Sequence, residues 1–380
     1  MDLELTKDFD EQEEEKKLIT PNILICGQTG SGKSSIINAM SGKQIAEIGD
    51  EVPVRNGIKK YKGKSINFVD SDGYEIGKEE KFISDILGYI DAQSEEDYPE
   101  RVHMVWYCFN MGVARLTDGD LRMISEIEKR KIPVCCILNR IDQTDGGSLN
   151  TMRGEIEKRL PSVTIFNFCV SPEREVRESV QGYFDEEKLK NWALANIPAD
   201  MKINVMAGLS ISLKSRRKQL SMKYIPSQAA QAAVAVGMNF SQVADSVLLI
   251  GLQARMAYHI LKSYELSGIG NLFTTIQSVI VSAGGKKLAL TIGGTLVELI
   301  PVGGKIIVKG ANVLVAGSLT YALGMTINET CYQYSTGRKK GSDAEFSDIL
   351  KGMMTKENIN RLVDEYTKKY GKQNTEDEEK

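Results

Sequence analysis

The feature that most constrains this chain is a glycine-rich loop between an apolar segment and a helical pattern. Ile23–Cys26 reads as a strand, and it runs into Gly27-x-x-x-x-Gly32-Lys33-Ser34, which is followed by apolar residues at helical spacing. This strand–loop–helix order is the context that a phosphate-binding P-loop requires. The glycines let consecutive backbone N–H groups curl around a phosphate, and the helix N-terminus adds its positive dipole end. The segment therefore predicts a nucleoside triphosphate site.

Each residue of this loop has an expected role. Lys33 would contact the β- and γ-phosphates, and the Ser34 hydroxyl would be a ligand of Mg²⁺. The predicted phosphate contacts are Gln28, Thr29, Gly30, Ser31, Gly32, Lys33, Ser34 and Ser35. A glycine-rich turn without a ligand is the alternative, and it leaves the flanking strand and helix unexplained.

The hydrophobic pattern divides the chain into two domains and two ends. Between residues 20 and 197, apolar runs alternate with amphipathic helical segments, which is typical of a mostly parallel sheet with helices on both faces. After Pro198 the pattern is purely helical. We therefore predict an α/β P-loop domain at 20–197 and an all-α helical domain at 198–370. Residues 1–19 would form a solvated acidic arm or helix, and 371–380 a disordered acidic tail.

Charge and cysteine usage narrow the functional classes. The net charge of −3 and the pI near 5.8 argue against a nucleic-acid partner. The six cysteines include no C-x-x-C pair, which favours reduced thiols in a cytoplasmic protein. The acidic N-terminus lacks the basic and apolar regions of a signal peptide. His103 and His259 are too far apart in the sequence to suggest a metal motif.

Two further motifs follow predicted strands, where ligands of an α/β sheet collect. The first is Asp70-x-x-Gly73, in which Asp70 can hold Mg²⁺ through water and the Gly73 N–H can reach a γ-phosphate. The second, Asn139-Arg140-x-Asp142, is an N-K-x-D pattern with Arg in place of Lys. The Asp142 carboxylate can accept two hydrogen bonds from guanine. Adenine offers no such donor pair, so the motif favours GTP over ATP.

The residues around Asp142 would complete the base site. The aliphatic stem of Arg140 can cover the face of the base as a lysine would. Asn139 would connect this loop to the P-loop. Ser171 ends the last predicted strand, where a backbone N–H could meet the guanine oxygen.

Taken jointly, the motifs resemble those of Ras-like GTPases, especially the Era-like branch. The segments Gly27–Ser34, Asp70–Gly73 and Asn139–Asp142, with Ser171, occur in the order and spacing of that family. The resemblance implies guanine nucleotide (GTP or GDP) as the ligand, Mg²⁺ as the cofactor, and GTP hydrolysis with Lys33 among the catalytic residues.

Two departures from the family bear on catalysis. No Thr occurs between Ser34 and Val69, where the family has a switch Thr, and Arg55 stands in its place. Tyr74 follows the D-x-x-G motif, where Ras has the Gln that orients water. We therefore expect a slow GTPase, with Asp72 and Arg55 as further catalytic candidates; a solvated loop Arg is the alternative for Arg55. The rival hypothesis is a non-catalytic GTP-binding scaffold.

The second half carries two helical stripes. One is apolar, repeats every four residues, and predicts a core face: Leu248, Leu252, Met256, Ile260 and Tyr264. The other consists of Gly303, Gly310, Gly317 and Gly324, which predicts close backbone approach by another helix. Because Leu288–Ile300 contains Glu298, a tightly packed helical hairpin is favoured over a membrane-spanning one.

This half also resembles the YcjF-like domain of unknown function, through Leu299-Ile-Pro301-x-Gly303 and Thr320-Tyr-Ala-Leu-Gly324. More distantly, the domain order is similar to that of dynamin-like and immunity-related GTPases. Lysines at the ends of the hairpin could meet anionic lipid: Lys286, Lys287, Lys305 and Lys309. The expected partners are another copy of the chain and a membrane surface. The expected location is the cytoplasm, including the inner face of a membrane.

Overall fold

The computed structural model describes residues 9–43, 50–55, 57–74, 77–170, 185–238, 242–284, 307–337 and 343–370. Contacts divide the chain into two compact units. The first unit is Leu18–Ile211, and the second unit combines Met1–Lys17 with Ser212–Lys380. The chain therefore starts in the second unit, whose first helix, α1, spans Glu11–Lys17.

The first unit is built on a seven-stranded sheet in the order β2-β3-β4-β1-β5-β6-β7. Its strands are β1 (Asn22–Gly27), β2 (Asp50–Arg55), β3 (Ile58–Lys62), β4 (Asn67–Ser71), β5 (Val102–Asn110), β6 (Val134–Asn139) and β7 (Thr164–Phe168). The pairs from β4 through β7 are parallel, whereas β2–β3 and β3–β4 are antiparallel. Every residue of β1, β5 and β6 is buried. Since successive side chains point to opposite faces, both faces of the central sheet are covered.

The helices of this unit follow the strands along the chain. They are α2 (Lys33–Ser41), α3 (Glu79–Ser94), α4 (Asp118–Lys129), α5 (Gly146–Arg159), α6 (Glu186–Asn196) and α7 (Lys202–Gly208). The start of α4 is set by a capping box, in which the side chains of Thr117 and Asp120 bond each other's backbone N–H groups. The predicted α/β fold with a mostly parallel sheet is confirmed.

No apolar run in the sequence predicts the hairpin β2–β3. The sequence did contain a signal for this hairpin. Asn56-Gly57 follows a segment in which apolar residues occupy every second position, and an Asn-Gly pair in that context is a strong hairpin pattern. Gly57 has φ of 73°, a left-handed conformation that favours glycine. The family resemblance places Arg55 at a switch position, whereas in the structure Arg55 is the last residue of β2.

The boundary between the units lies after Ile211 rather than after residue 197. Two contacts hold α7 in the first unit. The Asn204 side-chain amide donates to the Ile19 carbonyl oxygen at 3.0 Å. Gly208 lies so close to Ile66 that an added Cβ would sit 2.6 Å from its Cγ1 atom. Pro198 therefore marks the end of α6 and not the end of the unit.

The second unit is helical throughout its described residues, as predicted. After α1 it contains α8 (Leu213–Gln219), a π-helical turn (Leu220–Tyr224), α9 (Ile225–Met238), α10 (Gln242–Ser263), α11 (Leu272–Gly284), α12 (Ile307–Thr336), α13 (Asp343–Met353) and α14 (Lys356–Tyr370). The predicted apolar stripe lies on α10. Met256, Ile260 and Tyr264 are buried as expected, whereas Leu248 is 39% exposed.

Close packing at the glycine stripe is present at two positions of α12. A Cβ on Gly317 would lie 2.6 Å from the Tyr366 hydroxyl, and one on Gly324 would lie 2.8 Å from Ile225 Cγ2. The groups that approach these glycines are side chains of neighbouring helices, not backbone as we expected. Gly303 and the run 288–300 lie outside the described residues. Of the helices that are described, none combines the length and apolar character needed to cross a membrane.

The acidic N-terminal segment packs within the second unit. Glu14 is only 6% exposed, and its Oε1 lies 3.1 Å from Nε2 of His259 on α10. Glu15 accepts hydrogen bonds from the Tyr258 hydroxyl and the Lys262 ammonium. The expectation of a solvated arm or helix is therefore wrong for Glu14, because His259 on α10 provides a hydrogen-bond partner in a buried position.

Candidate nucleotide-binding site

The P-loop lies between β1 and α2, and its backbone requires glycine. Gly27 and Gly32 have φ of 130° and 80°. A Cβ on Gly27 would lie 2.2 Å from the Cys108 carbonyl oxygen, and one on Gly32 would lie 2.7 Å from Asn139 Nδ2. No other residue type would fit without moving the backbone or its neighbour. The loop is thus held in a left-handed, closely packed conformation that suits a phosphate cradle.

Polar groups converge on the inside of this loop. The Lys33 ammonium lies 3.2 Å from the Gln28 carbonyl oxygen, and its side chain is buried. The Asn139 side-chain amide donates to the Ser31 carbonyl oxygen at 2.6 Å. This is the link between the N-R-x-D loop and the P-loop that the sequence predicted. Thr29, Gly30 and the hydroxyl-bearing Ser34 and Ser35 are exposed, so the loop opens to solvent on one side.

The corner formed by Ser34 and Asp70 fits a magnesium ion. The Ser34 hydroxyl donates to Asp70 Oδ2 at 2.8 Å, while Asp70 Oδ1 is buried and has no hydrogen-bond partner. Burial raises the pKa of Asp70, opposed by the bond from Ser34 and the charge of Lys33. A hydroxyl, a carboxylate and substrate phosphates are the usual ligands of Mg²⁺. The described residues contain no cluster of three or more His, Cys, Asp or Glu that could hold a metal without such phosphates.

The corner formed by Arg140 and Asp142 follows β6. Arg140 has φ of 62°, and the short 3₁₀ helix Ile141–Gln143 presents Asp142. Asp142 Oδ1 is buried without a hydrogen-bond partner, as an acceptor reserved for a base would be. Ser171, the predicted contact of the guanine oxygen, lies outside the described residues.

The segment after β4 is docked on the P-loop. The Thr29 N–H donates to the Tyr74 carbonyl oxygen at 3.2 Å. A Cβ on Gly73 would lie 2.4 Å from the Thr29 backbone nitrogen, so only glycine permits this approach. Asp72 has an exposed side chain, and its N–H donates to the Gly57 carbonyl oxygen at 2.7 Å. Arg55 ends β2, where it pairs with Ile58.

The side chain of Tyr74 points into the unit. It is 6% exposed, and its hydroxyl donates to Asp120 Oδ1. Burial, followed by the charge of Asp120, raises the pKa of Tyr74 to about 12, so the phenol remains a donor at neutral pH. Sequence reasoning missed Asp120 as part of this site. Its only local signal was the spacing of Thr117 and Asp120, which is typical of a helix cap.

The arrangement defines a class of protein. A P-loop at the end of β1, an Asp-x-x-Gly segment docked against it, and an Asn-x-x-Asp loop bonded to its backbone are together typical of the nucleotide site of P-loop GTPase domains. The first unit has this arrangement.

Comparison with known proteins agrees with this assignment. Residues 22–140 match the model of the family described as 50S ribosome-binding GTPase. GTPase Der of Myxococcus xanthus is 26% identical over 139 residues, which cover 36% of this chain and 29% of that protein. GTPase Der of Lacticaseibacillus casei is 25% identical over 132 residues, covering 34% and 29% respectively. The chain thus spans under a third of the length of these relatives.

Solved structures are similar over about half of the chain. A probable GTP-binding protein engB is 16% identical, with a TM-score of 0.34 and coverage of 46% of this chain and 98% of that one. Era in complex with MgGDPNP and a segment of 16S ribosomal RNA is 16% identical, with a TM-score of 0.32 and coverage of 48% and 58%. The resemblance of the second unit to YcjF-like domains stays a prediction.

Proposed function

We propose that this chain is a slow GTP hydrolase that acts as a nucleotide-dependent switch. In this proposal the helical unit provides self-association or contact with a membrane surface or partner. The observation that carries the proposal is a pair of buried oxygens with no partner: Asp70 Oδ1 near the end of β4, and Asp142 Oδ1 on the short 3₁₀ helix after β6. Unpaired buried acceptors are costly, and they are expected where a ligand supplies the missing partner.

The roles of the residues follow from their positions. The P-loop backbone would hold the phosphates, and Lys33 would neutralise the β- and γ-phosphate charge. Ser34 and Asp70 would hold Mg²⁺, which when bound supplies charge stabilisation at the β- and γ-oxygens. Asp142 would accept hydrogen bonds from guanine, with Arg140 covering the base. The γ-phosphate would be met by the Gly73 N–H.

Slow turnover is supported by the position of Tyr74, which stands where Ras has the Gln that orients the attacking water. The Tyr74 phenol is turned into the unit and bonded to Asp120, so it does not face a water at the γ-phosphate. Asp72 is exposed on the same segment and remains the candidate for this role, together with Arg55. Stimulation by self-association would bring in the missing group from a second copy.

The direct test is phosphate release from GTP in the presence of Mg²⁺, measured over a range of protein concentrations and with or without anionic vesicles. We expect slow release whose rate per molecule rises with concentration. Lys33→Ala should abolish triphosphate binding, while Lys43→Ala, at an exposed lysine after α2, should leave it unchanged. Fast turnover that is independent of protein concentration would contradict the proposal.

The second candidate function is a non-catalytic GTP-binding scaffold at the membrane, which the inward-facing Tyr74 also favours. GTP binding without any phosphate release, under all of these conditions, would select it. An ATP-dependent enzyme conflicts with the Asn139–Asp142 loop. Calorimetry with GTP and ATP separates that third alternative.

A further inference from the structure

We propose that Tyr74 and Asp120 are positioning residues that hold the Asp70–Tyr74 segment docked on the P-loop and thereby favour GTP over GDP. We call this pair the Tyr74 latch. The inference rests on the proposed function for its nucleotide preference, but its structural part can be tested without nucleotide.

The latch is centred on a buried carboxylate. Asp120 is 1% exposed and accepts five hydrogen bonds. Its Oδ1 accepts from the hydroxyls of Tyr74 and Tyr107, the latter at 2.6 Å. Its Oδ2 accepts from the N–H and hydroxyl of Thr117, both at 2.9 Å, and from Gln28 Nε2 at 3.3 Å. Four of these donors belong to residues of the P-loop, β5 and the cap of α4, so the carboxylate is fixed to the frame of the unit.

Tyr74 is the donor that belongs to the segment after β4. It is attached twice, because its hydroxyl bonds Asp120 and its carbonyl oxygen accepts from the Thr29 N–H at 3.2 Å. Its neighbour Gly73 lies within the same close contact with Thr29. Arg115 provides a second link between the P-loop and the chain that follows Tyr74. Its guanidinium forms an ion pair with Glu79 at 3.0 Å, and the carbonyl oxygen of Arg115 accepts a hydrogen bond from Gln28 Nε2 at 2.8 Å.

This geometry means that the Tyr74 latch favours GTP over GDP. A bond that exists only when the segment is docked stabilises the docked state over any other arrangement. GTP carries a γ-phosphate that the docked Gly73 N–H would meet, and GDP does not. The latch therefore places the Gly73 N–H before GTP arrives and lowers the cost of binding GTP alone. A hydrogen bond to a charged group is strong enough to change this preference by about tenfold.

The chain offers a matched pair of variants. Tyr74→Phe and Tyr107→Phe each remove one hydroxyl from the same oxygen of Asp120, but only Tyr74 belongs to the docked segment. Tyr74→Phe keeps the ring, which packs against Phe82 at a centroid distance of 5.0 Å, so the loss is confined to the bond.

The first measurement is hydrogen exchange of the Thr29 amide in the nucleotide-free protein. Since this N–H donates to the Tyr74 carbonyl oxygen, its protection reports docking directly. We expect exchange to be several-fold faster in Tyr74→Phe than in Tyr107→Phe. Equal exchange in the two variants would overturn the latch.

The second measurement is the ratio of GTP to GDP affinity by calorimetry. We expect Tyr74→Phe to lower this ratio by about tenfold with GDP affinity retained, and Tyr107→Phe to leave it as in the unmodified protein. A ratio that is unchanged or raised in Tyr74→Phe, or equally lowered in both variants, would overturn the inference. Binding of neither nucleotide by the unmodified protein would contradict the proposed function instead, and the exchange measurement would still decide the latch.

Discussion

At the scale of single residues, the predictable part of the site is the part written in short motifs. The P-loop, Asp70 and Asn139–Asp142 could be recognised because each follows an apolar strand and has a spacing fixed by local backbone geometry. The Tyr74–Asp120 bond joins residues 46 positions apart. No local pattern specifies it, because the partner depends on how β5 and α4 pack in the folded unit.

A substitution at Asp142 tests base recognition. Asp142→Asn replaces an acceptor by a group that also donates, so we expect weaker GTP binding and a preference for xanthosine triphosphate, which offers an acceptor at the altered position. Calorimetry with both nucleotides measures the change. The exposed Asp145→Asn serves as the control, and unchanged GTP affinity in Asp142→Asn would contradict the assignment.

His103 should make the stability of the first unit depend on pH. His103 Nδ1 accepts from the Asn22 N–H at 3.0 Å in a buried position, and burial lowers the pKa of His103. The unfolded chain therefore binds a proton more readily than the folded one. The buried neutral His103 therefore contributes its full stabilisation of the folded state above the ordinary histidine pKa of about 6.5. This contribution is lost as the pH falls below that value, because the unfolded chain takes up a proton.

We expect the urea concentration at the midpoint of unfolding of the first unit to decrease as the pH is lowered from about 7.5 to about 5.5. Both tryptophans, Trp106 and Trp192, lie in this unit, so their fluorescence follows its unfolding alone. His103→Gln, which keeps an acceptor but cannot titrate, should flatten this dependence. A midpoint that falls equally in the variant would assign the effect to other groups.

Among the strands, those that are buried on both faces could be predicted from the sequence, and those at the edge of the sheet could not. Strands β1 and β5 are buried throughout and show as continuous apolar runs. The edge strand β2 contains Pro53, and three of the five residues of its neighbour β3 are lysines, so neither segment stands out from a polar loop. The hydrophobic pattern therefore predicts no strand in 50–62.

Two helical glycines test the packing of α12. Gly324→Ala would bring a Cβ to 2.8 Å from Ile225 and 2.9 Å from Met256 Sδ, so we expect a loss of about 1–3 kcal/mol in the free energy of unfolding. Gly251→Ala on α10 meets nothing within 4 Å, and we expect a gain of about 0.5–1 kcal/mol from helix propensity. Urea unfolding followed by far-ultraviolet circular dichroism measures both. A stabilising Gly324→Ala would contradict the close packing described.

For the whole molecule, the sequence predicted an α/β unit and a helical unit, but it did not predict which helices belong to which unit. The change from strand to helical patterns near residue 198 is real, yet α7 packs in the first unit because its apolar residues, including Val205 and Met206, are buried there. A helix alone does not reveal which core it joins. The assignment of Glu14 to the second unit required tertiary contacts for the same reason.

If the chain is a switch, its nucleotide state should change its assembly or its binding to a partner surface. Sedimentation velocity should show a larger species with a non-hydrolysable GTP analogue than with GDP, since a switch must couple nucleotide state to assembly or binding. Cosedimentation with anionic and neutral liposomes separates lipid contact from self-association. Lys33→Ala should behave as the GDP state in both. Identical behaviour with the two nucleotides, with and without liposomes, would contradict a switch.

The docking of α1 on α10 has a practical consequence for dissecting this protein. A fragment that starts at Ser212 would leave Tyr258, His259 and Lys262 without the carboxylates of Glu14 and Glu15. A synthetic peptide corresponding to residues 1–17 should then bind to that fragment in trans and raise its melting temperature. The same peptide with Glu14 and Glu15 changed to glutamine should bind more weakly. The difference between the two association constants would then measure the contribution of the two carboxylates to this contact.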